Sequence, residues 1–153
     1  MAKKSREQAY PDTQTFHYYN ANPKNRLTCD CWLRAIATGL NEPYNDVLRE
    51  MVEVHIETGY EMSSDKAIER YLEKKGWRKC KQPRKWDNTK YTGKEFCREL
   101  QRDPDKFIGA KSISDVRLII NIGGHHMAAI VNGRVNDIWD STNKCVGNYY
   151  IKK

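Results

Sequence analysis

The apolar pattern of this chain changes period once, near Pro104, and that change limits the folds open to it. Before Pro104, apolar residues recur three and four apart. Leu33, Ile36 and Leu40 form one stripe; Tyr44, Val47, Leu48, Met51 and Val54 a second; Ala67, Ile68, Tyr71 and Leu72 a third. Such spacing collects the side chains on one side of an α-helix, the side that must be covered. After Pro104 the runs are short and rich in β-branched and aromatic residues: "FIGA", "VRLIINI", "HHMAAIV", "RVNDIWD" and "NYYIKK". These read as strands. Helices first and antiparallel strands afterwards predict an α+β domain, an N-terminal helical half packed on a C-terminal antiparallel sheet.

Local signals mark the ends of these elements. Asp30 stands where its carboxylate could cap the first helix, and Gly39 is a natural stop for it. Pro43 suits the first turn of a second helix, expected to reach Glu57. A serine cap and Gly76 bound a third, and a Thr92/Glu95 capping box opens a fourth, with Cys97 inside it as a small buried residue. Asn132-Gly133 suits a two-residue primed turn and predicts a hairpin. Residues 1–20 lack a clear period and read as a loosely structured lead-in. The 153 residues are most simply one domain, 1–153.

No run of 18 apolar residues exists, so no transmembrane helix is expected. The start "MAKKSREQAY" has no apolar core of a secretory signal, and a cytoplasmic protein is the expectation. Five cysteines, at 29, 31, 80, 97 and 145, are an odd number, which in a reducing compartment favours free thiols. The net charge of +7 is local: residues 74–94 hold nine of the 27 Lys and Arg and one of the 20 acids, leaving 18 against 19 elsewhere. With Trp77 and Trp86 interleaved, that segment reads either as a landing site for nucleic acid or an acidic partner, through Lys79, Lys81, Arg84 and Lys85, or as a solvated face whose tryptophans anchor the core.

The chemistry-bearing stretch is "TCDCWLRAIATGL" (28–40). Cys31 falls in the first turn of a helix, where backbone N–H groups and the macrodipole favour a thiolate. Cys29, before the turn, lacks that field and reads as a bystander. A zinc clip of Cys29, Cys31, His125 and His126 has suitable atoms, but adjacent strand residues point to opposite faces and Cys-x-Cys is tighter than structural zinc sites use. No metal or other cofactor is expected. A thiolate nucleophile needs a base, and the base an orienting group. "GGHHMAAIVNGRVNDIWDS" offers His125 or His126, and Asp137 or Asp140. With Asn132-Gly133 as the turn, residue numbers across the ladder sum to 265, which pairs His125 with Asp140; a bulge would shift this by one.

"DCWLRAIA", followed far downstream by "HHMAAIVNGRVNDIWDS", resembles papain-like cysteine peptidases, most of all small phage and prophage proteins related to bacteriocin-processing (C39-type) peptidases. The likeness runs from Asn22 to the end. It implies a papain-like fold, with Cys31 as nucleophile, His126 as base and Asp140 as the orienting acid. It also implies an amide donor six residues before the cysteine, where Asn25 stands in place of the family's Gln and Asn22 is the nearest alternative. The implied activity is hydrolysis of a peptide or isopeptide bond in a peptide or protein substrate, in the host cytoplasm if the gene is phage-borne. Two other functions fit the same residues: an inactive papain-like module that engages a host protein, and nucleic-acid binding through 74–94.

Overall fold

The computed structural model describes residues 2–114 and 116–153. In chain order it contains α1 (Arg6–Ala9), β1 (Phe16–Tyr18), α2 (Cys31–Leu40), α3 (Tyr44–Thr58), α4 (Asp65–Lys74), β2 (Trp77–Cys80), α5 (Gly93–Arg102), α6 (Asp105–Ile108), β3 (Arg117–Ile122), β4 (His126–Val131), β5 (Arg134–Asp137) and β6 (Val146–Lys152). All six strands join one sheet in the order β1-β5-β4-β3-β6-β2.

The α+β expectation holds in outline, with a correction to the sheet. It is mixed, because β1 runs parallel to β5, and both of its edges, β1 and β2, come from residues before Pro104. The lead-in is likewise no loose segment. Ser5 and Gln8 close a capping box on α1, and Phe16 is fully buried in the sheet's core. A three-residue strand is too short to show a period, which is why residues 1–20 read as featureless. "FIGA" is also corrected: Phe107 and Ile108 belong to the helical turn α6, which Gly109 ends at φ +63°, and the Phe107 ring packs edge-on to Phe96 at 5.1 Å.

The helices follow their sequence signals. Ser64 accepts from the Ala67 N–H, and Thr92 and Glu95 form the reciprocal box at the start of α5. Gly39 is not the stop of α2; the helix runs one residue further and ends on Asn41 in the left-handed region. A Cβ at Gly39 would stand 2.4 Å from Ile119 Cγ1, so glycine there lets helix and sheet approach.

Two cores lie on either side of the sheet. One joins α2, α3 and α4 through Leu33, Ile36, Met51 and Tyr71 to Ile119, Met127 and Tyr150; the other joins Phe96 and Leu100 of α5 to Leu118, Ile120 and Ile130. Strand β3 is therefore covered on both faces, which explains the consecutive apolar residues Leu118, Ile119 and Ile120. Among the strands, α2 packs most extensively on β4. The first residue of α2, Cys31, is thereby carried to the first residue of β4, His126.

The hairpin fixes what comes next. Asn132 and Gly133 take φ +52° and +80°, the primed turn, and Val131 pairs with Arg134, Ile130 with Val135 and Ala129 with Asn136.

Candidate active site

Cys31 is half-buried at the start of α2. Burial alone would raise its pKa, but a hydrogen bond with His126, another from the Met127 backbone N–H and the charges of His126 and Arg34 together hold it below the usual thiol value. The His126 imidazole shows the matching shift. Burial would lower it, yet hydrogen bonds with Asp137 and Cys31, and their charges, raise it to about 9. Both shifts favour the same state, a thiolate beside an imidazolium.

The carboxylate on the far side of the ring is Asp137. Its Oδ2 accepts from His126 Nε2 at 2.5 Å, which leaves Nδ1 as the ring nitrogen for the thiol. Asp140, the acid that the peptidase resemblance implied, is a correction. Strand β5 ends at Asp137, and three residues later the Asp140 carboxylate accepts from the Thr142 N–H at 2.9 Å and the Thr142 hydroxyl at 2.6 Å, fastening the next turn. The register makes the choice intelligible. Continued by arithmetic, it sets Asp137 opposite Ala128, one alternate step from His126. His125 lies exposed in the turn before β4, away from this line of groups. Trp139 tilts over the His126 ring, with centroids 4.9 Å apart, and shields one side of the imidazole from water.

A residue that the sequence did not single out completes the site. Arg34, one turn along α2, is 5% exposed. Its Nε donates to Asp30 Oδ1 at 2.9 Å and its Nη1 to Asp137 Oδ1 at 2.6 Å. Asp30 and Arg34 are spaced i,i+4 on one helix side, which sequence alone could have shown, whereas Asp137 lies 103 residues away.

Asp30 itself is a second correction, because its carboxylate does not cap α2. With φ −111° and ψ 26° the residue is outside the extended region that cap side chains need, and no side-chain cap bond forms. Its Oδ2 instead accepts from the Tyr44 hydroxyl at 2.7 Å and from Asn22 Nδ2 at 3.2 Å. Burial would raise the Asp30 pKa, but the hydrogen bonds from Tyr44, Arg34 and Asn22 outweigh it and keep it below the usual value. The N–H groups of Cys31, Trp32 and Leu33 meet no acceptor among the described residues, so the positive end of α2 is open.

The expected amide donors stand elsewhere. Asn25, at φ +53°, is exposed and its side-chain oxygen accepts from Asn20 at 3.3 Å; Asn22 is spent on Asp30 and Tyr44. The basic segment is also corrected in part. Lys79 pairs with Glu69, Lys85 with Glu95, Lys74 with Glu57, and Lys75 with Glu42 and Glu50, so acids from flanking elements offset much of its charge. Arg84 donates to the Asn88 carbonyl, and Lys81 is exposed. Trp77 is buried, while Trp86 is 98% exposed.

Of the other thiols, Cys97 is buried in α5, which pushes its pKa up to about 12, and Cys29 and Cys145 are exposed. The described residues contain no cluster of three His, Cys, Asp or Glu arranged to hold a metal. A cavity of about 670 Å³ is lined by Tyr19, Thr38, Arg117 and Asn136, and its wall includes Tyr44, the partner of Asp30, but not Cys31 or His126. No helix is long and apolar enough to cross a membrane among the described residues. No protein-family model, curated protein or solved structure matches the chain.

Proposed function

We propose that this chain is a cysteine-dependent hydrolase of papain-like type, acting on a peptide or isopeptide bond. One observation carries the reading: the Cys31 sulfur, the His126 ring and the Asp137 carboxylate form a continuous line, and both titrating members shift toward the ion pair.

The chemistry follows from the groups at hand. The Cys31 thiolate attacks the carbonyl carbon, and the oxyanion that forms meets the open N–H groups at the start of α2. The His126 imidazolium gives its proton to the leaving amine, then takes one from the water that cleaves the thioester. Asp137 keeps the ring in one orientation throughout. The backbone end of a helix takes the place of the Asn25 amide, and the acid is Asp137 in place of Asp140.

Competitive alkylation tests the reading. Cys29 and Cys145 are exposed and Cys31 is not, so access alone favours the first two. At about pH 6, where an ordinary thiol is under about 1% ionised, iodoacetamide should label Cys31 faster than either. Slower labelling of Cys31 would sink the enzyme reading.

A second function is compatible with the first and rests on Trp86. It stands at the tip of a turn closed by the Lys85–Thr89 and Asn88–Lys85 backbone bonds, with exposed Arg84 and Lys90 beside it. A ring this exposed between cations suits stacking on a single-stranded nucleic acid. Fluorescence of Trp86 quenched by oligonucleotide, with affinity that falls steeply with salt, would support it; no quenching at low salt would remove it.

A further inference from the structure

Arg34 is a buried charge at the site that the reaction above does not use. Its guanidinium is a rigid planar fork, and here the fork joins two carboxylates of different duty. On one side, Asp137 Oδ1 takes Nη1 at 2.6 Å and the Ile138 N–H at 2.7 Å, so that Oδ2 is left for His126 at 2.5 Å. On the other side, Asp30 is drawn to Nε at 2.9 Å, away from the α2 N–H groups it would otherwise cap. The same side chain thus turns one acid toward the imidazole and removes another from the place where the thiolate and oxyanion develop. Its positive charge, close to the sulfur, also favours the anion.

We propose that Arg34 is a positioning residue of the thiolate–imidazolium pair, acting through Asp137 and Asp30 rather than on substrate. The inference rests on the hydrolase reading. On neighbouring elements, Tyr44 from α3 donates to Asp30, His125 is exposed in the turn before β4, and Arg6 from α1 donates through Nε to the Ile138 carbonyl at 2.7 Å. None of them touches both acids. A role in stability alone would leave the thiol's titration unchanged in any variant that folds.

The test is the pH profile of Cys31 alkylation, read by peptide mass, in the full chain and in Arg34→Gln and Arg34→Lys. In Arg34→Gln the acid limb moves to higher pH, and the rate at about pH 6 falls roughly three- to tenfold. Arg34→Lys restores the charge but not the fork, and its profile lies between those two. Profiles of the folded variants that overlay the parent overturn the proposal. If Arg34→Gln does not fold, Arg34→Lys alone decides, and an overlay there has the same force. An acid limb in the parent at the ordinary thiol position is a different failure: it removes the hydrolase reading, and the positioning role with it.

Discussion

The molecule holds two dense groups of opposite charges, and they behave differently. Around Arg34, two carboxylates and one guanidinium are buried, with side-chain exposures of 6% for Arg34 and 1% for Asp137. Around residues 74–94, lysines pair with Glu57, Glu69 and Glu95 in the open. Water and salt screen the exposed pairs, so each contributes little and can be made and broken freely. The buried group has no such substitute. Removing one member strands the others in a medium that cannot solvate them. Charge density read from sequence pointed to the exposed segment, yet the charges that shape chemistry are the few that are out of water.

The largest expected effect on this contrast comes from His126→Ala. Without the imidazole the Cys31 thiol reverts toward its ordinary value, and its alkylation at about pH 6 should drop on the order of tenfold to a hundredfold. Next is Arg34→Met, which takes from the buried Asp30 and Asp137 the guanidinium they share. A cost of about 3–5 kcal/mol is expected, seen as a fall in Tm of roughly 10 °C. A loss no larger than that of a surface substitution would erase the distinction between the two groups.

Stability against pH sharpens it further. Asp30 is held below its ordinary 3.8 when folded, so its contribution is present above that pH and lost as the pH falls through the folded value. His126 is raised from 6.5 to about 9, so its contribution is complete below 6.5 and disappears as the pH climbs through 9. Denaturation at graded pH should show both limbs in the parent, and Asp137→Asn should weaken the alkaline one. The smallest effect belongs to Lys79→Ala: a Tm within about 2 °C of the parent despite the loss of its pair with Glu69.

Much of the scaffold was legible locally. The capping box at Thr92 and Glu95, the serine cap at Ser64 and the Asn132-Gly133 turn each act within a few residues and stand where the sequence put them. The hairpin register also contained the acid, since a sum of 265 sets Asp137 opposite Ala128 beside His126. The peptidase resemblance points instead to "WDS", beyond the strand end. Arg34 was half visible: its helical partner Asp30 is four residues away, but no local rule brings Asp137 to it from the other half of the chain. The parallel edge strand β1 was hidden for a similar reason, because among the described residues it pairs with β5 alone, from the other half of the chain.

The most direct test is the ultraviolet absorbance of the thiolate, taken as the difference between the parent and Cys31→Ser across the pH range. A thiolate signal that appears at lower pH than an ordinary thiol's is the predicted result, since the hydrogen bond and charge of His126 hold the thiol below its ordinary 9.0. A signal that emerges only as the pH passes 9.0 would contradict the ion pair, and the hydrolase with it.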